Sequence, residues 1–361
     1  MKKLGLSGLA VILLAGAVPG LQMSGNWTVT GAIAKYATAP SSSVMRDGKV
    51  LTAGGNLGGV GAVFPWAQVY DPVANKWTAT PDMKSPRNGL SGTTLPSGKV
   101  LLAGGSNGGN GVKLTILTSA ELYDPAKNNF TLARGKMAVG RMYHSATLMG
   151  NGKVLLAGGI NGYYISIRYI TCTNTAEVYD PATQTFSSAG TLSAPRCGHT
   201  ATLLPDGRVM VAGGTDGKIL LNTADIYDPA TNTWTAGANM SVARDYFSAA
   251  VLSGGKVLVT GPDTSAEIFD PVSNTWTTAG GTQFTYGANA AATLLNGEVL
   301  LVGGPAGQCE LYDPTTGLWN STGTLNTARW QFGISVLRDG RVLITDGETG
   351  FQVGSAELYR P

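Results

Sequence analysis

The chain has 361 residues, of which 13% are charged and 51 are Gly. An average protein has about 25% charged residues and about 7% Gly, so this chain is poor in charge and about twice as rich in Gly. Hydrophobic residues make up 43%, which is enough for a large core and excludes a disordered chain. The formal net charge is only +3, so we expect no nucleic-acid partner.

Residues 1–20 have the three parts of a secretory signal peptide. Lys2 and Lys3 precede an apolar run over residues 4–14, and Ala15-Gly16-Ala17 follows as a small-residue cleavage site. The apolar run is shorter than the ~20 residues that a membrane-spanning helix needs. We therefore expect a secreted protein, periplasmic or extracellular, that is not inserted in a membrane after the signal is cleaved.

A six-residue phrase, Ala-Glu-x-Tyr-Asp-Pro, recurs with variations from residue 25 to residue 361. Its aromatic residue stands at seven positions: Tyr70, Tyr123, Tyr179, Tyr227, Phe269, Tyr312 and Tyr359. In the first six copies a second aromatic residue follows seven residues later: Trp77, Phe130, Phe186, Trp234, Trp276 and Trp319. Upstream of each phrase, a β-rich run ends in Gly-Gly or a degenerate form of it. Such regular internal repetition is typical of an array of identical structural units.

Each copy predicts four short strands, as the segment around Tyr227 illustrates. The first two strands, His199–Leu204 and Val209–Ala212, flank an Asp-Gly pair, which favours a tight hairpin. The third strand, Ala224–Tyr227, is followed by an Asp-Pro turn, and the fourth strand carries Trp234. Apolar and polar residues alternate within these runs, which favours sheets that pack face to face.

The Gly-Gly pair after the second strand, with Tyr and then Trp at fixed spacings, resembles the kelch repeat. The resemblance covers essentially all of residues 25–361. It implies an all-β fold, a seven-bladed kelch-type β-propeller with four antiparallel strands per blade, in a single domain over residues 25–361.

The two ends of this repeat region complement each other. The last copy stops at Tyr359-Arg360-Pro361, just after its third strand, while Gly25-Asn26-Trp27-Thr28 matches the fourth-strand segment Asn232-Thr233-Trp234-Thr235. We therefore expect the N-terminal strand to complete the last blade, which removes an exposed sheet edge.

Candidate binding residues lie in the loops between second and third strands, which share one face with the loops between blades. These loops vary in length from copy to copy, as insertions on the functional face of repeat proteins do. The candidates are Phe64, Trp66, Tyr163, Tyr164, Arg168 and Tyr169. Exposed aromatic residues can stack on sugar rings or anchor a protein partner. Alternatively, they form a minor core over the blades or extend the second and third strands into a longer hairpin.

Five arginines recur at the start of the first strand on the same face. They are Arg87, Arg141, Arg196, Arg244 and Arg329. A ring of guanidinium groups can bind carboxylate or sulfate groups. Alternatively, each pairs with the acid of the Ala-Glu phrase: Glu121, Glu177, Asp225, Glu267, Glu310 and Glu357.

The two histidines, His144 and His199, each lie three residues after one of these arginines. Because the same position holds Leu90, Phe247 and Phe332 in other copies, we interpret them as packing residues of the inner strand. The kelch pattern also resembles galactose oxidase-like copper radical oxidases, and Tyr143-His144 resembles their Tyr-His ligand pair. Nothing matches the second His of that family, and we expect no metal or other cofactor.

The three cysteines fall into two groups. Cys309 replaces the Ala of the repeated phrase, which predicts a small buried residue. Cys172 and Cys197 fall on one face of adjacent blades, so an exported protein can join them in a disulfide. Two separate thiols are the alternative.

The residues together favour a secreted, non-catalytic binding or scaffold propeller. It would recognise a glycan or a protein surface through the loops between second and third strands and the loops between blades. A galactose oxidase-like copper radical oxidase and a structural or assembly protein of the cell surface are the alternatives.

Overall fold

The computed structural model describes residues 25–33, 35, 37–57, 62–109, 113–165, 169–285, 290–351 and 353–361. The expected signal peptide, residues 1–20, lies outside these ranges. The described residues form 32 strands, arranged as seven four-stranded antiparallel sheets and two two-stranded hairpins. None of them belongs to a helix long and apolar enough to cross a membrane. The predicted all-β, seven-bladed propeller is confirmed.

The strands follow the repeat in chain order. The first strand is β1 (Asn26–Val29), and blade 1 consists of β2 (Ser41–Val44), β3 (Val50–Ala53), β4 (Ala67–Asp71) and β5 (Lys76–Ala79). Blade 2 consists of β6 (Ser91–Thr94), β7 (Val100–Ala103), β10 (Ala120–Asp124) and β11 (Asn129–Leu132), with the hairpin β8 (Ser106–Gly109) and β9 (Leu114–Ile116) between β7 and β10. Blade 3 consists of β12 (Ser145–Leu148), β13 (Val154–Ala157), β16 (Thr175–Asp180) and β17 (Thr185–Thr191), with the hairpin β14 (Ile160–Tyr164) and β15 (Tyr169–Cys172) between β13 and β16.

The remaining blades are built in the same way. Blade 4 consists of β18 (Thr200–Leu203), β19 (Val209–Ala212), β20 (Ala224–Asp228) and β21 (Thr233–Gly237). Blade 5 consists of β22 (Ser248–Val251), β23 (Val257–Thr260), β24 (Ala266–Asp270) and β25 (Thr275–Ala279). Blade 6 consists of β26 (Ala290–Thr293), β27 (Val299–Val302), β28 (Cys309–Asp313) and β29 (Leu318–Ser321). Blade 7 consists of β30 (Gly333–Val336), β31 (Val342–Thr345), β32 (Ala356–Arg360) and the N-terminal β1.

The core lies between neighbouring blades. The second strand of every blade is buried on both faces, which accounts for its continuous apolar sequence. Leu51 of blade 1, for example, packs in one cluster with Leu102 and Tyr123 of blade 2. The first strands, β2, β6, β12, β18, β22, β26 and β30, contact one another in a closed ring around the axis. Every blade therefore depends on both of its neighbours for the burial of its two faces.

The fixed spacing between the two aromatic residues of each copy comes from cross-strand pairing. Tyr70 on the third strand of blade 1 lies directly opposite Trp77 on the fourth strand, with ring centroids 5.0 Å apart. The Tyr70 hydroxyl donates a hydrogen bond of 2.8 Å to Asn75 Oδ1. Asn75 has a φ of +49° in the intervening turn, a conformation that Asn tolerates better than most residues. The seven-residue spacing is therefore a structural requirement of the turn and its flanking strands.

The N-terminal strand closes the ring, as predicted. β1 pairs with β32 so that Trp27 lies opposite Tyr359, and the two ring centroids are 5.2 Å apart. The Trp27 indole N–H donates a 2.9 Å hydrogen bond to the carbonyl oxygen of Gly323, in the segment between blades 6 and 7. This closure covers the edge of β32 that would otherwise be open.

Two faces result from the alternating strand directions. The loops between second and third strands, together with the loops between blades, lie on what we call the loop face. The tight turns of the repeat lie on the opposite turn face. Only the loop face carries additional elements in the described part of the chain, namely the hairpins β8–β9 and β14–β15.

Deleting residues 25–30 should strongly destabilise the protein, because β32 then presents an open edge and Tyr359 loses its aromatic neighbour. The single change Trp27→Ala should already lower the free energy of unfolding by about 3–5 kcal/mol, as is usual for a large aromatic residue in a core. Denaturant unfolding and light scattering measure the two effects. Val29→Thr is the control on the same strand, since Val29 is 56% exposed, and an unchanged unfolding midpoint of the deletion variant would contradict closure by β1.

Candidate functional site

The five repeat arginines are buried ion-pair partners. Their exposed fractions are 0% for four and 2% for Arg329. Each guanidinium group bonds the repeat acid of its own blade, at 3.2 Å for Arg87 and Glu121, 2.9 Å for Arg141 and Glu177, 2.6 Å for Arg196 and Asp225, 3.1 Å for Arg244 and Glu267, and 2.6 Å for Arg329 and Glu357. Side chains without exposed surface do not reach a ligand outside the fold. The structure therefore shows the internal pairing that the sequence offered as the alternative to ligand binding by these five arginines.

Each arginine forms hydrogen bonds both with the end of the second strand and with the start of the third strand of its blade. In blade 4, Arg196 Nη1 donates to the carbonyl oxygens of Gly213 at 2.9 Å and Thr223 at 3.0 Å, and Nη2 donates to Thr223 Oγ1 at 3.0 Å. Asp225 also accepts a hydrogen bond from the backbone N–H of Ser193 at 3.2 Å. Burial lowers the pKa of Arg196, while the charge of Asp225 raises it. The sixth acid, Glu310, accepts a hydrogen bond of 2.9 Å from the backbone N–H of Gln283.

Blade 1 departs from this arrangement at both positions. Ala37 stands 17 residues before Gly54, whereas blades 2, 3, 4, 5 and 7 have the arginine 17 residues before the corresponding residue. Gln68 stands where the other six blades have the acid. Around Ala37 lies a small cavity of about 10 Å³ that is partly open to solvent, which is room for about one water molecule. Gly54, Trp66, Gln68 and Asp346 also line it. We call these five residues the open socket.

Sequence reasoning missed the open socket, although its signal was present. The repeated phrase reads Ala67-Gln68-Val69-Tyr70 in blade 1, and Gln68 there replaces the acid. An alignment of the copies on Gly54 would have shown that the arginine is replaced as well.

Asp346 is a buried carboxylate in the wall of the open socket. It is 2% exposed, and Oδ1 accepts a hydrogen bond of 3.3 Å from the backbone N–H of Ala37. It occupies the first position of the degenerate Gly-Gly pair of blade 7, with a φ of +61°. Burial raises the pKa of Asp346 to about 7, and its hydrogen bonds and the charge of Arg329 offset only part of that effect.

The predicted aromatic residues of blade 1 form a stacked pair on the loop face. The ring centroids of Phe64 and Trp66 are 3.8 Å apart, with an angle of 13° between the rings. Both side chains are half-buried, so one stacked pair stands beside the open socket with part of its surface in solvent.

The predicted tyrosines of blade 3 lie on the hairpin β14–β15. Tyr163 packs against a small core over the blades that includes Met142 and Ile160. Tyr164 lies 5.0 Å from Lys113 Nζ, measured from the ring centroid, and Tyr169 is 44% exposed. The insertion therefore combines the extended hairpin with the minor core that sequence reasoning offered as alternatives to a binding surface. Arg168 lies outside the described residues.

A disulfide joins Cys172, at the end of this hairpin, to Cys197 at the start of blade 4, with 5.6 Å between their Cα atoms. Both cysteines belong to the same minor core as Tyr163. Cys309 is a buried free cysteine, and burial raises the pKa of its thiol to about 12. The disulfide fixes the hairpin to the blades beneath it.

The two histidines connect neighbouring blades. His144 Nε2 is 2.9 Å from Ser91 Oγ, and His199 Nε2 is 3.0 Å from Ser145 Oγ. Burial lowers the pKa of both imidazoles, that of His199 to about 3. No three His, Cys, Asp or Glu side chains among the described residues lie together so that they could hold a metal ion. These positions do not fit the copper site that the resemblance to copper radical oxidases implies.

Arg196→Ala should lower the free energy of unfolding by about 3–5 kcal/mol, because it leaves Asp225 buried without its partner. The double variant Arg196→Met with Asp225→Leu should cost less, since it leaves no buried charge unpaired. Denaturant titration measures both. Arg208→Ala breaks the surface pair with Asp206, where the side chains are 34% and 46% exposed, and should cost at most ~1 kcal/mol; an equal cost for Arg196→Ala would refute the role of the buried pair.

Thiol counting in denaturant without reductant should find one free thiol, that of Cys309, and three after reduction. The disulfide closes a loop with a sequence separation of 25 residues. By lowering the entropy of the unfolded chain, it should raise the free energy of unfolding by about 3 kcal/mol. Replacing both Cys172 and Cys197 by Ser should therefore lower the unfolding midpoint. Three thiols before reduction would rule the disulfide out.

Comparisons with known proteins agree with this fold. A protein-family model described as "KLHDC2/KLHL20/DRC7 Kelch-repeats domain" matches residues 40–262, more than half of the chain. No curated protein matches the chain.

Two solved structures share the architecture. One is described as "Novel fungal alcohol oxidase with catalytic diversity among the AA5 family, in complex with copper"; it is 17% identical with a TM-score of 0.75, over 94% of this chain and 77% of that chain. The other, described as "Structure of YjhT", is 15% identical with a TM-score of 0.62, over 81% of this chain and 99% of that chain. Identities this low show a shared fold and nothing about a shared activity. On the family match and its seven blades of kelch type, the chain belongs to the Kelch-repeat family.

Proposed function

We propose that the chain is a secreted, non-catalytic binding propeller whose loop face recognises a protein surface. The observation that carries the proposal is where large hydrophobic side chains are exposed. Five of the ten among the described residues stand in loops between second and third strands: Leu57, Tyr169, Ile219, Leu220 and Phe351. Exposed apolar side chains gathered on one side of a soluble protein are typical of an interaction surface.

The chemistry of these side chains favours a protein partner over a glycan. Sugar rings stack on flat aromatic faces, whereas Leu57, Ile219 and Leu220 offer branched aliphatic surface. Aliphatic surface next to aromatic anchors such as Tyr169 is typical of protein interfaces. A glycan remains the outcome to be distinguished by experiment.

Rigidity of the loop face supports the same proposal. The disulfide between Cys172 and Cys197 and the minor core hold the β14–β15 hairpin on the blades. A surface that is ordered before it binds loses less entropy on association. The turn face, by contrast, consists of short turns that bond to themselves, such as Asp71 Oδ1 with the backbone N–H groups of Val73 and Ala74 at 3.0 and 3.1 Å.

Export is supported by two independent features of the chain. Residues 1–20 carry the pattern of a signal peptide. Disulfides persist mainly in oxidising compartments outside the cytosol, and the chain contains one. Mass spectrometry of the mature N-terminus from periplasm and medium tests export directly, and an uncleaved protein retained in the cytosol would contradict it.

A display library of proteins and a glycan array, both probed with the mature protein, test the binding proposal. The loop-face variant carries Tyr169→Ala, Ile219→Ser and Leu220→Ser, and should weaken binding at least about tenfold, since anchor residues contribute ~1–2 kcal/mol each. The matched control carries Val73→Ser and Val272→Ser on the turn face, where both valines are 95% exposed. Both variants should melt like the wild type.

The two variants separate the possible results. Binding lost only in the loop-face variant supports the proposal, and binding lost only in the turn-face variant refutes it. Hits confined to the glycan array would replace the protein partner by a carbohydrate.

A further inference from the structure

Two blades carry a histidine at a position where three others carry an apolar side chain. His144 directly precedes β12 of blade 3 and His199 directly precedes β18 of blade 4. Blades 2, 5 and 7 have Leu90, Phe247 and Phe332 at this position. The two histidines are buried, with exposed fractions of 3% and 1%. The repeat therefore does not require an ionisable side chain here, and these two blades have one.

We propose that His144 and His199 form an acid-sensitive latch beneath the loop face. When both imidazoles take up a proton, the contacts among blades 2, 3 and 4 open, and the β14–β15 hairpin is released from the blades. The inference rests on the proposed function only in treating this hairpin as part of the binding surface. It adds a regulation of that surface, namely that binding there weakens in acid.

Each imidazole is packed closely between two blades. His144 Nε2 lies 2.9 Å from Ser91 Oγ of blade 2, and His199 Nε2 lies 3.0 Å from Ser145 Oγ of blade 3. The rings also pack on the backbone of the preceding blade, since a Cβ atom added to Gly104 of blade 2 would stand 2.9 Å from His144 Cε1. A positive charge on a ring in such an interface loses its hydration, which is costly.

The charged groups that face the imidazoles are cations. Arg141 acts on His144, and both Arg196 and Arg141 act on His199. Each guanidinium group is held in place by the acid of its own blade, at 2.9 and 2.6 Å. The neighbouring strands β6, β7, β12, β13, β18 and β19 contain no charged residue.

Burial therefore dominates the titration of both rings, and the arginines add to it. Burial and the charge of Arg141 hold the pKa of His144 well below its usual range, and the other imidazole lowers it further. Burial and the charge of Arg196 lower the pKa of His199 to about 3. Backbone hydrogen bonds offset only part of these shifts.

These shifts make the closed contacts less stable in acid. An exposed histidine takes up a proton below a pH of about 6.5, whereas His199 in the closed contact stays neutral until the pH approaches its pKa of about 3. Between these two values the open state binds more protons than the closed state, so a falling pH favours opening. Each pH unit in this window changes the opening equilibrium by up to about tenfold for each histidine.

Opening at these two positions acts directly on the β14–β15 hairpin. Met142, two residues before the first histidine, exchanges two backbone hydrogen bonds with Ile160 at the start of β14, at 2.9 and 2.8 Å. Cys197, two residues before the second histidine, carries the disulfide to the end of β15. Both ends of the hairpin are therefore anchored beside an imidazole.

Hydrogen exchange of the mature chain tests the latch without a partner. Mass spectrometry compares the protection of each strand at about pH 7 and about pH 4.5, after correction for intrinsic exchange. The strands β12, β14, β15 and β18 should lose roughly 100-fold in protection on acidification. The strands β22 and β30 follow Phe247 and Phe332 and should change far less. Because blades 5 and 7 contain the same buried arginine–acid pairs, they also account for acid effects on carboxylates.

Replacing the histidines by the residue of other blades should remove the acid effect. The double variant is His144→Phe with His199→Phe, and the repeat accommodates this ring, since a Cβ atom added to Gly213 would stand 2.7 Å from Phe247 Cε1. His199→Phe alone should remove about half of the effect on a logarithmic scale. Phe247→Leu is the matched control and should leave the acid effect on blades 3 and 4 unchanged. Thermal melting at neutral pH shows which variants fold, and the single variant decides if the double variant does not.

Reduction of the disulfide measures release of the hairpin separately. Cys197 has an exposed fraction of 0%, so a phosphine reductant reaches the disulfide only when the contact opens. At about pH 4.5 the wild type should be reduced at least about tenfold faster than the double variant. Both proteins are compared at the same pH, so the pH dependence of the reductant itself cancels.

Each result counts for or against the inference. An equal loss of protection in all blades, an acid effect that persists in the double variant, or equal reduction rates overturns it. If the library yields a loop-face partner while blades 3 and 4 show no acid effect, the latch alone is refuted. If acid opens these blades while neither library yields a partner, the proposed function fails and the latch stands.

Discussion

Closure of the ring is the constraint on which the rest of this structure depends. A single four-stranded blade has two apolar faces and cannot bury either of them alone. The second strands are buried on both sides because a neighbour covers each face, and this holds for blade 1 only if blade 7 is complete. The cluster that joins Val50 and Tyr70 of blade 1 to Leu343 and Leu358 of blade 7 is therefore part of the same core as every other blade contact. Pairing of β1 with β32 turns seven dependent units into one cooperative fold.

Closure also divides the molecule into a part that repeats and a part that varies. The turns on the turn face connect strands whose register is fixed by the aromatic pairs, so their length cannot change without moving an aromatic side chain. The loops between second and third strands begin at Gly-Gly or its variant, directly after the last paired residue of the second strand. Insertions there leave the blade intact, as the hairpins β8–β9 and β14–β15 do. The turns of constant length and the loops of variable length thus lie on opposite faces of the molecule.

The repeated features of the sequence were sufficient to predict the fold. The seven copies of Ala-Glu-x-Tyr-Asp-Pro predicted seven blades, because each blade repeats the same constraints. The last copy lacks a fourth strand and the segment around Trp27 matches one, so the closing strand was predictable as well. Individual side chains were harder. Arginine is a common ligand-binding residue, and sequence alone could not show that Arg196 bonds two carbonyl oxygens and Asp225 inside the fold. The hairpin tyrosines divided between packing and exposure, a distinction that depends on how β14–β15 folds over the blades.

The chemistry of the buried ion pairs explains how blades 1 and 6 depart from the repeat. A buried arginine–acid pair adds little net stability relative to neutral residues of similar volume, but losing one partner is costly. In blade 1 both members change together, to Ala37 and Gln68, which removes both charges. Blade 6 instead keeps the acid without the arginine, and Glu310 there accepts a hydrogen bond of 2.9 Å from the backbone N–H of Gln283.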